Sequence, residues 1–563
     1  MMTTCGQQGK VEIVQMKQTT SVFGTAVAIA SAFILWGVFF PKNMATVMDS
    51  IQGFISSELG WFYLLSATFY VGVGIYLIFS PYGSIKLGKP EEEPEYSYMT
   101  WFAFLFTAGM GIGLVFWGAA EPLSHYFAPP DAAPGTQDAA AQAMRYAIFH
   151  WGIHPWAIYA VVALALAYFQ YRKDEPALFS STFRPLIGHR ITGPLGKVID
   201  VFVVFATVFG TATSLGFGAA QITAGLRYLF PALNSFSDNV FQLVVIAIVT
   251  ILFCISAATG VDKGIRILSN FNVRLAIILM AFVLLLGPTS YIMGVFTQGI
   301  GSYAQNFFGM SFSMDVYNPE SSWVQEWTLF YWAWWISWSP FVGAFIARVS
   351  RGRTIREFVI GVIALPSLFG AFWFSVFGGS SIFFENETGA LYGQMQTGGT
   401  EMALFALLEQ FPLTFFVSIL TVILIASFFV TSADSATVVL GMQTTGGLLN
   451  PPNAVKLVWG VIISGTAAVL LLTSEQGLAA LQTASIIGAF PFAVIIILMI
   501  VSLFKELRNE KAALTVNRER LRQERLALRN ERERIKREQM LLRKEQQKLR
   551  QLTKDKKKDR KKD

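Results

Sequence analysis

Charge is what this 563-residue sequence has least of: Asp, Glu, Lys and Arg make up 14% of it, against about 25% in an ordinary soluble domain. With 53% hydrophobic residues and a mean hydropathy of +0.50, most of the chain belongs in lipid. Cysteine is as scarce. Cys5 and Cys254 can build neither a disulfide framework nor a cysteine metal site, so redox chemistry is not the theme. No Walker A string occurs, which excludes an ATP pump encoded in this chain. Residues 1–20 are polar, carry Lys10 and Lys17 and lack a small-residue cleavage pattern before the first apolar run, so no cleaved signal peptide is expected.

What is present is a series of apolar runs, each near the roughly 20 residues a spanning helix needs. Twelve are expected, beginning near Ser21, Trp61, Thr100, Ala143, Ile199, Asn239, Arg274, Gln325, Phe358, Leu407, Ala454 and Gly477, giving an all-α membrane protein of twelve transmembrane helices. The even count puts both termini on one side. Loops after even-numbered helices carry Lys86 and Lys89, then Arg172, Lys173, Arg184, Arg190 and Lys197, then Lys263 and Arg266, then Arg348, Arg351, Arg353 and Arg356, whereas residues 315–326 and 385–409 hold acids and no Lys or Arg. By the positive-inside rule both termini are expected on the cytoplasmic side of the membrane. Residues 299–314, too short and too mixed to span, are expected to lie along the outer interface as an amphipathic helix.

Three segments follow: a cytoplasmic N-terminal segment, 1–20; a transmembrane domain, 21–504; and a basic cytoplasmic helix, 505–563. The last holds 23 basic and 11 acidic residues, a net +12 that leaves −5 for the rest of a chain whose formal charge is +7. Such asymmetry points to an anionic surface as the partner, lipid rather than nucleic acid. Leu507, Leu514, Leu521, Leu528, Ile535, Leu542 and Leu549 repeat every seven residues, which predicts a continuous helix after the last span. Lys511, Arg518, Arg525 and Arg532 occupy the second apolar position of a zipper, so reversible docking on the membrane or on the transporter itself is expected rather than a stand-alone coiled coil. Glu533 with Arg537, and Glu531 with Arg534, can pair on its surface.

Two spans are expected to be interrupted, the third at Gly109-Met110-Gly111-Ile112-Gly113 and the eighth at Ser337-Trp338-Ser339-Pro340. Their starts are five spans apart, the pattern of a transporter built from two inverted five-helix repeats behind two preceding helices. Glycine at every second residue does not line one helical face, so close helix packing explains it poorly. A dinucleotide fingerprint is excluded by the spacing and by the absence of a strand. His150 and His154 are four apart, but no Glu follows His150 and no third ligand is apparent; both read as structural.

Aromatic residues carry the chemistry. Trp334, Trp338 and Phe341 fall on one face of the eighth span with Trp335 beside them, at mid-membrane rather than at headgroup level. Trp156 and Tyr159 lie one turn apart in the fourth span, while ideal geometry places Trp151 on another side unless Pro155 alters the phase. A trimethylammonium group has no N–H to donate, so ring faces must hold it, each through cation–π attraction of about 0.5–2 kcal/mol. Neither interrupted span carries a carboxylate at its break, which makes the cage aromatic rather than ionic. In the tenth span, Thr431 and Ser432 of Phe428-Phe429-Val430-Thr431-Ser432-Ala433-Asp434-Ser435 are placed at the helix end. They could meet carbonyls at Thr107 and Met110 around a sodium ion, or simply cap the helix. Thr207 and Thr211 are a further hydroxyl pair, with packing the plainer reading.

At these residues the sequence resembles the betaine/carnitine/choline transporter family, over about residues 20–505. The matching text is Gly109-Met110-Gly111-Ile112-Gly113, Glu121-Pro122-Leu123, His150-Trp151-Gly152-Ile153-His154-Pro155-Trp156, Trp334-Trp335-Ile336-Ser337-Trp338-Ser339-Pro340-Phe341 and Thr431-Ser432-Ala433-Asp434-Ser435. The resemblance implies the inverted-repeat fold of amino-acid/sodium symporters, assembled as a homotrimer. It implies a substrate cage of Trp151, Trp156, Tyr159, Trp334, Trp335 and Trp338 against Gly109, Gly111 and Gly113. One co-transported sodium ion is implied at Thr107, Met110, Phe428, Thr431 and Ser432, a second at Thr207, Thr211 and Phe341. Choline-type members resemble an acidic variant at the position of Gly113, so glycine betaine is the expected substrate.

The expectation is therefore an osmoregulated, sodium-coupled glycine betaine symporter and not an enzyme. Its rivals are a choline, carnitine or ectoine carrier on the same fold, possibly proton-coupled, and an osmosensing receptor or channel.

Overall fold

The computed structural model describes residues 20–109, 111–259, 262–318, 320–473 and 478–559, with side chains at all but 106–109, 257–259, 262–266, 512–522, 552 and 555–559. Cys5, Lys10, Lys17 and Met110, and the side chains of Thr107, Lys263, Arg266, Leu514, Arg518 and Leu521, lie outside them. No strand occurs among the described residues; Lys86 and Thr354 form one isolated bridge. The chain divides into two compact units, Met1–Leu503 and Phe504–Asp563.

In chain order the helices are α1 Ser21–Phe39, α2 Pro41–Glu58, α3 Gly60–Phe79, α4 Tyr98–Gly109, α5 Ile112–Phe127, α6 Gln137–Trp151, α7 Ile153–Ala167, the single turn α8 Arg184–Ile187, α9 Pro194–Leu229, α10 Asp238–Thr259, α11 Asp262–Leu286 and α12 Thr289–Phe312. They continue with α13 Phe330–Val349, α14 Ile355–Thr388, α15 Leu391–Gly398, α16 Ala403–Leu408, α17 Thr414–Thr444, α18 Asn453–Thr473 and α19 Ala479–Asp559. Ten stretches among the described residues are long and apolar enough to cross a membrane. The third and eighth expected spans are the two that fall short, for different reasons. The third is cut into helices of 12 and 16 residues; the eighth is diluted by tryptophan and serine.

The apolar surface is arranged for lipid. In the most apolar 18-residue window of Gln137–Arg172, 94% of the residues are buried inside the protein, against 22% in the windows of Ser21–Phe39 and Asp238–Ser256, which turn Leu35, Ile248, Ile251 and Ile255 outward. Helices exposing that much apolar surface are untenable in water. The amphipathic α2 was not anticipated from sequence, and the helix expected over 299–314 begins earlier, as α12.

Backbone irregularities cluster where α5, α6, α7 and α13 meet. Gly111 is extended, φ −154° and ψ −175°, between α4 and α5, as the glycine run predicts. Gly152, φ −95° and ψ −130°, separates α6 from α7. There the Ile153 N–H, freed by the new start, is 3.3 Å from Tyr303 Oη, and Pro155 sits in the first turn of α7, where a missing N–H matters little.

The eighth span departs from expectation: α13 runs unbroken through Ser337-Trp338-Ser339-Pro340. Pro340 leaves the carbonyl of Ile336 without its donor, and the Ser339 hydroxyl donates to that oxygen at 2.7 Å. A side chain has replaced the lost backbone bond, as apolar surroundings demand. The irregular turn lies instead at the start of the span, a wide π-type turn over Gln325–Leu329. A second correction concerns 428–435, which occupy the middle of α17, not its end; the helix continues to Thr444, so capping no longer explains Thr431 and Ser432.

Candidate functional site

Helices α7 and α13 pack along each other, and their aromatic side chains form one cluster. Trp334 and Trp335 stack at 4.8 Å and 15°. Trp151 stands edge-on to both, 4.7 Å and 78° from Trp335 and 6.1 Å and 88° from Trp334, so the break at Gly152 brings in the ring whose phase ideal geometry left doubtful. Tyr159 lies 6.1 Å from Trp335 and 6.3 Å from Trp338, with Trp156 5.5 Å from Tyr159. All six rings are buried. The glycine turn closes the remaining side: a Cβ on Gly113 would sit 2.5 Å from Trp334 Cη2 and 3.1 Å from Trp151 Cη2, and one on Gly111 3.7 Å from Trp338 Cη2. Any side chain at 113 would displace two rigid rings. Trp334 Nε1, Trp338 Nε1 and the Tyr159 hydroxyl find no hydrogen-bond partner among the described residues. Ring faces that attract a cation thus stand beside donors able to hold an acceptor group.

Behind the cage is a residue whose part sequence reasoning missed. Glu121, on α5, is fully buried. Its Oε2 accepts the Trp151 indole N–H at 2.7 Å and the Tyr331 hydroxyl at 2.5 Å. Its Oε1 lies 2.7 Å from Nδ1 of His150 and 3.2 Å from Nε2 of His125. His150 continues the network, with Nε2 3.0 Å from Thr328 Oγ1 and its backbone carbonyl accepting the Trp335 N–H at 2.9 Å. Glu121, His125 and His150 offer ligand atoms within 4.8 Å of one another, near enough to share a metal ion, but both carboxylate oxygens are already engaged. His154 faces elsewhere, its Nε2 3.1 Å from Ser311 Oγ; the two histidines share no ligand position. The signal available in sequence was an ionisable residue inside an apolar span, which is a functional indication by default.

The hydroxyl residues divide between two places. Thr431 donates within α17 to the carbonyls of Ser427 and Phe428 at 3.1 and 3.2 Å, and its oxygen accepts from Asn272 Nδ2 at 3.2 Å. Asn272, on α11, also accepts the Ser427 hydroxyl at 2.5 Å. Ser432 is half-buried beside Thr431, and Phe428 is buried. A Cβ on Gly218 of α9 would meet Ile112 Cδ1 at 2.8 Å and Phe429 Cδ2 at 3.2 Å, so the start of α5 and the middle of α17 converge on that glycine. Thr207 and Thr211 are buried on α9, donating to the carbonyls of Val203 at 2.8 Å and Thr207 at 2.6 Å. They share a face with Gly210, where a Cβ would lie 2.7 Å from the backbone of Ser337; Phe341 follows one turn along α13.

Next to the cage, residues of α7, α13 and α17 line an open cavity of about 190 Å³ whose walls include Phe341, Tyr171, Gln443 and Arg348. Phe341, 5.4 Å from Trp338, is shared between cage and cavity, and Arg348 is a basic residue of its wall.

Residues 21–512 match a family profile described as betaine/carnitine/choline family transporter. A glycine betaine transporter of Bacillus subtilis (strain 168) is 54% identical over 498 residues, covering 88% of this chain and 96% of its own length. A probable glycine betaine transporter of Desulfitobacterium hafniense (strain Y51) is 44% identical, over 88% and 99% of the two chains. An ectoine/hydroxyectoine transporter of Virgibacillus pantothenticus is 42% identical, over 87% and 97%.

Proposed function

This chain belongs to the betaine/carnitine/choline family of transporters and is a multi-pass membrane protein, and from that premise we propose that it carries glycine betaine into the cell by sodium symport. The observation that bears most weight is the pairing of ring faces with the unpartnered donors Trp334 Nε1, Trp338 Nε1 and Tyr159 Oη. A trimethylammonium group suits the rings, and a carboxylate on the same small molecule suits the donors. Choline offers those donors only a hydroxyl, and the acidic side chain that would balance its net charge has no room at Gly113. Ectoine brings amidinium N–H groups, which indole N–H groups cannot accept.

Sodium enters as a co-substrate. The proposed first ion rests between the α4–α5 turn and the middle of α17, using carbonyls at Thr107, Met110 and Phe428 with the hydroxyls of Thr431 and Ser432. The second rests between Thr207, Thr211 and Phe341. Transport is by alternating access, and its coupling follows from binding that completes cage and ion sites together, so that each ligand raises the affinity for the other. The cavity lined by Phe341 and Arg348 is the inward exit. Two inverted five-helix repeats, cytoplasmic termini in a bacterial inner membrane, a homotrimer, and regulation by osmolality through the basic helix and anionic lipid complete the proposal.

The test is uptake into proteoliposomes under an imposed sodium gradient, with glycine betaine, choline, carnitine and ectoine in parallel. Accumulation of betaine above the external concentration, abolished when sodium is replaced by potassium, is expected. Equilibration without accumulation would identify a channel, and sodium-independent accumulation would overturn the symport.

A further inference from the structure

We propose that Glu121 sets the cage's preference for a positive charge, by making the indole of Trp151 electron-rich. The proposal rests on the reading of the cage as a betaine site. An amide at 121 would give Trp151 and Tyr331 the same acceptor geometry without an ionisable group in the membrane core, where such a group is costly. The carboxylate supplies something else. Four groups converge on it: the Trp151 N–H at 2.7 Å and the Tyr331 O–H at 2.5 Å on one oxygen, and two histidine ring nitrogens at 2.7 and 3.2 Å on the other. Oε2, the oxygen facing Trp151, receives both the indole N–H and the Tyr331 O–H, so it acts there purely as an acceptor.

A hydrogen bond donated to an anion is shorter and about twice as strong as one donated to a neutral acceptor. It pushes electron density from N–H into the ring and deepens the negative potential of the ring face that attracts a cation. Trp151 is edge-on to the stacked Trp334 and Trp335 and closes against Gly113. Charge buried behind the cage therefore reaches the ligand through a ring, with no carboxylate inside the cage to trap a cation or repel a substrate carboxylate.

The experiment compares two ligands of one shape on the purified full chain in lipid nanodiscs at saturating sodium. They are glycine betaine and 3,3-dimethylbutyrate, in which carbon replaces the quaternary nitrogen and only the positive charge is lost. Tryptophan fluorescence gives the two dissociation constants, and their ratio measures preference for charge. Glu121→Gln is expected to reduce the ratio by about ten-fold. Tyr331→Phe removes the competing donor from Oε2, leaves more of that charge to Trp151, and is expected to raise the ratio by about two-fold. A purely structural Glu121 would weaken both ligands alike. An unchanged ratio in either inserted variant overturns the proposal, and Tyr331→Phe decides it alone if Glu121→Gln does not insert. Absence of betaine binding by the unaltered protein overturns the substrate assignment and this proposal together, which separates the two failures.

Discussion

The membrane unit and the C-terminal helix are both α-helical, yet opposite in what holds them. Beyond residue 522 the helix is sustained by propensity and by surface pairs, Arg534 with Glu531 at 3.1 Å and Arg529 with Glu533 at 3.4 Å, each worth a few tenths of a kcal/mol. Leu528, Leu542 and Leu549 of its heptad are 64%, 57% and 63% exposed. In the membrane unit, packing overrides local preference: Pro340 sits inside a continuous helix, whereas Pro155 accompanies a full break at Gly152. An irregular backbone becomes tolerable when neighbouring side chains complete its hydrogen bonds.

The contrast would be broken most severely at the cage. Trp338→Leu removes a ring face and leaves no buried hydrogen-bond partner orphaned among the described residues, since Trp338 Nε1 has none there. The variant should insert and assemble while binding betaine at least about 30-fold more weakly, the worth of one desolvated cation–π contact of about 2 kcal/mol. Unchanged affinity in a fluorescence titration would remove the cage from the binding site.

A smaller effect is expected at the ion site. Thr431→Ala with Ser432→Ala deletes two oxygens, each at the lower end of a hydrogen bond's worth, about 0.7 kcal/mol, and should raise the sodium concentration for half-maximal uptake by about ten-fold. Expression should stay near wild type, because Thr431 bonds chiefly to its own helix. Uptake equally sodium-dependent in the double variant would place the ion elsewhere.

The smallest change in transport itself is expected from the tail. Deleting residues 517–563 should leave sodium-coupled uptake intact while removing its dependence on osmolality. Each Lys or Arg near an anionic leaflet contributes about 1 kcal/mol, and that attraction is screened as salt rises. An osmotic activation curve identical in full-length and truncated protein would reduce this helix to a solvated appendage.

How much of this was legible in the sequence depended on range. Glycine at 109, 111 and 113 announced the break between α4 and α5 because glycine's freedom is a local property. The heptad announced the long final helix for the same reason. Pro340 announced a break that did not occur, because the repair by Ser339 depends on a side-chain rotamer in an apolar setting. The surface pair expected between Glu533 and Arg537 is replaced by Glu533 with Arg529. Thr431 and Ser432 were placed at a helix end because hydroxyls weaken the apolar signal by which a span is traced, although α17 continues past them.

By itself the sequence determined the class of protein, its apolar helices and the residue types able to hold a quaternary ammonium ion, all of which follow from composition and short-range pattern. Only the tertiary structure decided which rings meet. Trp151 joins Trp335 because Gly152 redirects the chain between α6 and α7, and Glu121 reaches Trp151, Tyr331, His125 and His150 because α5, α6 and α13 converge there. Those contacts join residues up to 210 positions apart. No local periodicity encodes such a separation; it is set by how the helices bury their faces against one another.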